Sequence, residues 1–150
     1  WIPLAWGALS LLRALAATPG GRIADRIGRA KALSLGWALY AVAYGIFGAA
    51  TNWLHFAIAL GIYGAYYGLT EGAQRAVVAS LAPKAALGRA YGAYNLTVGA
   101  LALPSSWVFG VALERYGPAR VFGASGAVAL CAAVGMARLA KTLEADKKGS

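Results

Sequence analysis

Charged residues along this 150-residue chain are bunched, and the stretches between the bunches are apolar. With His55 counted as neutral, no charge falls between Lys31 and Glu71, between Arg89 and Glu114, or between Arg120 and Arg138. A helix needs about 20 apolar residues to cross a bilayer core, and each gap is close to that length or to twice it. The gap from Lys31 to Glu71 holds two crossings, with Thr51 and Asn52 as the turn between them. The apolar runs are long, unalternating and rich in Ala, Leu and Gly, unlike the roughly ten-residue alternating strands of a membrane barrel. The pattern predicts an all-α, polytopic helical membrane protein with about five spans, near 2–18, 32–50, 54–79, 90–112 and 119–138. Residues 1–140 form the bundle, and 141–150 form a charged tail.

Composition sharpens this picture. The chain is 60% hydrophobic and 13% charged, whereas soluble domains carry about a quarter charged residues. Its formal net charge of +9 is explained by topology, because cytoplasmic loops collect Lys and Arg and face anionic lipid. One side gathers Arg22, Arg26, Arg29, Lys31, Arg75, Lys84, Arg89, Arg138, Lys141, Lys147 and Lys148, while the other has Arg115 and Arg120 alone. The first side is predicted to be cytoplasmic, with the C-terminus on it. A basic nucleic-acid binder is excluded by the span-length uncharged segments, and the expected surroundings are the lipid bilayer. Trp1 at the first position and Met136 as the only methionine predict a fragment.

The densest charge lies in GGRIADRIGR, residues 20–29. Glycines suit a tight turn between two spans, and arginines anchor it on the cytoplasmic side. Asp25 needs a further reason, as a partner for a cation or as a cap for the positive end of a helix. The segment from Gly21 through Asp25, Arg26, Gly28 and Arg29 to Lys31 resembles the signature of the major facilitator superfamily, G-x-x-x-D-R/K-x-G-R/K with another basic residue close behind. Ala30 departs from the pattern, which has a basic residue there, and Lys31 follows one step along. The stretch Tyr67 to Ala76, and Gly88 to Asn95 after a short basic loop, resemble a helix connection in the C-terminal half of bacterial members. The five spans are thus similar to helices eight to twelve of a twelve-helix transporter.

The resemblance implies a secondary transporter in the bacterial cytoplasmic (inner) membrane. It would move a small-molecule substrate by alternating access against a missing N-terminal half of the same transporter. The signature turn would act as a conformational clamp on the cytoplasmic side, built from Gly21, Asp25, Arg26, Gly28 and Arg29 with Glu71 and Arg75. Glu71 and Arg75 are four apart in the order that favours an intrahelical pair, although Arg75 is also placed to reach Asp25. A non-transporting helical subunit, or a half-transporter that dimerises, is the alternative.

Candidate cavity residues follow from polar groups inside apolar spans. Arg13 sits within the first span, where a cation either snorkels toward the turn or faces a wet cavity and contacts an anion. Tyr63 and Tyr67, four apart and mid-span, and Asn95 in the fourth span could meet a solute. Gly61, Gly64, Gly68 and Gly72 favour close helix approach, and Pro104 predicts a kink. Enzyme chemistry finds no support: no metal-spaced cluster, no nucleophile-and-base set and no phosphate-binding loop is present, so no cofactor is expected. Cys131 reads as a packing residue.

Overall fold

The computed structural model describes the backbone of residues 2–149 and the side chains of residues 7–138. Five helices run in order, as the charge gaps predict: α1 (Ile2–Ile27), α2 (Arg29–Ala49), α3 (Trp53–Leu81), α4 (Leu87–Tyr116) and α5 (Pro118–Gly149), with a single 3-10 turn at Lys84–Ala86 before α4. At 1.5 Å per residue they measure about 30 to 48 Å, enough to span the roughly 30 Å hydrocarbon layer. Arg29–Ala49, Lys84–Tyr116 and Pro118–Arg138 are both long and apolar enough to cross a membrane. The tyrosines, glycines and His55 dilute the apolar character of α3.

Two glycines punctuate the chain. Only Gly28 separates α1 from α2, and only Gly117 separates α4 from α5, with φ of 88° and 77° respectively. Both take a left-handed backbone that side-chain-bearing residues avoid. Pro118 then opens α5 with φ already fixed for a helix. The α2–α3 corner is fastened differently. Asn52 accepts a hydrogen bond from the His55 N–H at 3.0 Å, capping α3, and the Thr51 N–H reaches His55 Nδ1 at 3.4 Å.

The signature segment departs from the expected turn. Gly20 to Ile27 continues α1, so the break falls at Gly28 alone. Gly20 and Gly21 are helical rather than turn glycines. Gly20 is buried because α1 crosses α3 there: a Cβ at Gly20 would collide with the Gly68 carbonyl, and one at Gly68 with the Ala16 carbonyl. Gly64 lies against Leu12 one turn along α3, whereas Gly61 and Gly72 meet nothing within 4 Å. Half of the glycine series therefore serves close packing. Helix α4 is continuous through Pro104, and the backbone of 141–149 extends α5.

In the packed part of the bundle, α2 lies between α3 and α5, and α1 lies on the other side of α3. Ala24, Ala32, Leu33, Leu69 and Ala73 form its buried centre, flanked by Trp37, Leu39, Val77 and Met136. Gly36 receives Thr70 from α3, and a Cβ at Gly126 would press within 3.2 Å of the Ala41 carbonyl, so small residues set the helix separations. Thr70 is satisfied by donating to the Tyr66 carbonyl at 2.8 Å, and Ser34 donates to the Ala133 carbonyl of α5 at 2.8 Å. Helix α4 touches α3 and α5 lightly and buries no residue.

Candidate solute-path and clamp residues

Hairpin packing of α2 on α3 joins two tyrosine series. Tyr40 and Tyr44 are one turn apart on α2, as are Tyr63 and Tyr67 on α3, and the side chains meet across the helix contact. Tyr40 and Tyr44 stack with ring centroids 4.0 Å apart, and Tyr63 lies 5.9 Å from Tyr40 and 6.0 Å from Tyr44. The wall continues through Trp37 and Tyr66 on one side, and through Phe47 and Phe122 on the other. Edge-to-face and offset contacts of this kind are favourable beyond the area they bury.

Arg13 joins this wall. Its guanidinium carbon lies 3.6 Å from the centroid of the Tyr67 ring, a cation–π contact. The Tyr63 hydroxyl donates to the Tyr67 hydroxyl at 3.5 Å. Because α1 runs on to Ile27, Arg13 lies deep in its helix, about 13 Å along the axis from Arg22. Its half-buried guanidinium rests on an aromatic face at that depth. Arg13, Tyr63 and Tyr67 are thus brought together. Asn95 is not among them: it lies exposed on α4.

A cavity of about 380 Å³ adjoins the tyrosines, lined by Tyr40, Tyr44, Ser105, Ser106, Phe109 and Ser125 among others. Its walls carry hydroxyls and rings but no charge, and its size falls within the ~300–1,000 Å³ of small-molecule sites. Tyr40, Tyr44, Ser105 and Ser125 were not singled out among the cavity residues by sequence reasoning. The regular spacing of Tyr40, Tyr44 and Phe47 was the available signal, but which face of α2 meets α3 becomes visible only after packing.

The clamp residues are more dispersed. Asp25, Arg26, Gly28 and Arg29 are exposed around the α1–α2 break, and Gly21 is half-buried within α1. Arg75 pairs with Glu71 of its own helix at 2.9 Å, with both side chains more than half exposed. Asp25 makes no hydrogen bond or ion pair among the described residues, so the structure does not join it to Arg75. Two further contacts hold this end of α4: Tyr94 donates to Gln74 Oε1 at 3.1 Å, and Tyr91 donates to the Arg75 carbonyl at 3.2 Å. Among the described residues, no group of three or more His, Cys, Asp and Glu could hold a metal ion.

Comparison with known proteins gives one finding. No curated protein and no solved structure matches the chain significantly. The family model described as Major Facilitator Superfamily matches residues 2–150, nearly the entire sequence. That match agrees with the signature segment, the all-helical architecture and the apolar spans, and the chain belongs to the Major Facilitator Superfamily, a family of membrane transporters.

Proposed function

We propose that the chain forms part of a secondary active transporter that moves a small solute by alternating access in a bacterial cytoplasmic (inner) membrane, with its C-terminus cytoplasmic. The solute path runs along Arg13, Tyr67 and Tyr63 toward Tyr40 and Tyr44. The observation that carries this reading is the Arg13 guanidinium held on the Tyr67 ring deep in α1. A charge in a membrane helix is expensive and is kept where it faces a partner or a wet cavity. Stacking on Tyr67 fixes the plane of the guanidinium, whose N–H donors lie along its edge. The tyrosine hydroxyls supply further donors and acceptors beside it.

In this proposal the Gly21–Lys31 segment is the cytoplasmic clamp. Gly28 places the break, and Asp25 is exposed beside it, so its carboxylate is presented outward to an opposing half of the transporter. Glu71 and Arg75 hold each other at the same end of the bundle. The clamp contact of Asp25 would then form between halves and not with Arg75.

The test is solute uptake by the transporter containing this chain, reconstituted in proteoliposomes. Arg13→Gln should abolish uptake at unchanged insertion, and Tyr67→Phe, which keeps the aromatic face, should retain more activity than Tyr67→Ala. Unaltered uptake in Arg13→Gln would remove Arg13 from the path.

A further inference from the structure

The flank of the bundle between α4 and α5 carries a second cavity, outside the Arg13–Tyr67 site. It measures about 570 Å³ and lies where the two helices diverge from their Gly117 corner. Val108, Phe109 and Ala112 of α4 face Val121 and Ala124 of α5 across it, and Ser105 and Ser125 lie at its inner end. From Tyr116 to Ser105 the cleft follows α4 for about 16 Å.

Its charge is placed at one end. Arg120, in the first turn of α5, and Tyr116, in the last turn of α4, stand beside the corner, and among the described residues no carboxylate lines the cavity. Arg120 is exposed and makes no ion pair among the described residues. The corner terminates two apolar spans, so Arg120 and Tyr116 sit at the depth of lipid headgroups, where cations and tyrosines are favoured. The cleft wall is apolar and open: Val108 and Tyr116, which line it, are each 58% exposed.

We propose that this cleft holds an anionic membrane lipid, with its phosphate on Arg120 and one acyl chain laid between α4 and α5 toward Ser105. Charge complementarity and the length of apolar wall below a single interfacial cation fix the occupant. A zwitterionic lipid offers a phosphate offset by its own ammonium and so gains less at Arg120, and a water-soluble anion leaves the apolar trough unfilled. The lipid would also join α4 to a bundle from which it otherwise stands apart along its middle. This inference needs the α4–α5 flank to face lipid, and it does not rest on Arg13, although the cleft shares Ser105, Phe109 and Ser125 with the cavity beside Tyr40 and Tyr44.

The test uses the detergent-solubilised, delipidated transporter containing this chain. Native mass spectrometry follows binding of phosphatidylglycerol and of phosphatidylcholine with the same acyl chains. Phosphatidylglycerol should bind more tightly, and Arg120→Gln should weaken it about fivefold while weakening phosphatidylcholine less, so that the preference is lost. Arg115→Gln, whose side chain is outside the cleft, should leave the preference intact. Ala124→Trp should weaken both lipids by filling the trough, with an unchanged far-ultraviolet spectrum as the check on folding. Equal losses in Arg115→Gln and Arg120→Gln would reduce the effect to general surface charge and overturn the site. Competition by glycerol phosphate as effective as that by the intact lipid would show a free-anion site and overturn the acyl-chain assignment.

Discussion

Where α1 crosses α3, glycine backbones lie against one another; along α4, glycines face open space. Gly20, Gly64 and Gly68 each have a neighbour that a Cβ would strike or press, whereas Gly88, Gly92, Gly99 and Gly110 have none within 4 Å. The two regions use the same residue type for different ends. In lipid, apolar surface gains nothing by leaving the solvent for another helix, so association depends on close packing and interhelical hydrogen bonds. The α1–α3 seam has the close packing, and the α2–α5 contact has it along with the Ser34 hydrogen bond. Helix α4 is tied near its ends, by Tyr91 and Tyr94 to α3 and by the Gly117 corner to α5, and is loose between them. A packed set of four helices beside one loosely held helix is a division of labour that suits the rocking of the proposed transport cycle.

The largest effect expected from this contrast is at Gly68. Leucine there meets the Ala16 backbone, which cannot turn aside as a flexible side chain would. Gly68→Leu should cost about 3 kcal/mol or more, the upper range for overpacking, read as a lowered midpoint of denaturant unfolding in detergent. Gly99→Leu on α4 should leave that midpoint nearly unchanged. Equal losses at the two positions would break the comparison.

Next in size is the contact between Arg13 and Tyr67. Their coupling spans the same α1–α3 seam, and a partly desolvated cation–π pair is worth ~2 kcal/mol. A double-mutant cycle of Arg13→Gln and Tyr67→Ala, read in solute uptake, should therefore be non-additive, with the second change adding little to the first. Asn95→Ala, from the loose helix, should combine additively with either. Additivity throughout would mean that Arg13 and Tyr67 do not act together.

How far such features could be read in advance depended on whether they were local. The number of helices was legible because charge is kept out of hydrocarbon, and the gaps between charges mark the spans. The helix ends were not, because Arg22, Asp25 and Arg26 do not stop a helix once it has left the hydrocarbon; the chain breaks only where Gly28 adopts positive φ. Tyr63 and Tyr67 were visible as neighbours on one helix face, and their contact was found. Tyr40 and Tyr44 needed the α2–α3 packing to enter the same wall. Arg75 shows the same limit: Glu71, one turn away, was legible as its partner, while a contact with Asp25 on another helix depended on a register that the residues do not encode locally.

A smaller difference should separate the hydroxyls of the two regions. Ser34 bridges α2 to α5 through the Ala133 carbonyl, and removal of one such bond costs about 1 kcal/mol. Ser34→Ala should lower the unfolding free energy by that amount, read as a lower midpoint at unchanged slope. Ser106→Ala on exposed α4 should not, since the Ser106 side chain makes no hydrogen bond among the described residues. A larger loss at Ser106 would show that α4 is packed more firmly than its exposure indicates.

The smallest effect is expected at Glu71 and Arg75, and it separates stability from conformational control. Their ion pair is short, 2.9 Å, but the side chains are 63% and 53% exposed for Arg75 and Glu71 respectively. An exposed pair of this kind contributes ~0 to 1 kcal/mol, so Glu71→Gln should leave the unfolding midpoint almost in place. The same change frees the Arg75 guanidinium beside the end of α4, where its own carbonyl already accepts from Tyr91. If the pair serves to keep Arg75 from other acids, Glu71→Gln should alter uptake more than it alters stability. Adding Asp25→Asn, whose clamp contact is proposed to lie with the opposing half, should combine additively with Glu71→Gln. Uptake and stability that both stay at the parental level in Glu71→Gln would reduce the pair to a solvated surface contact.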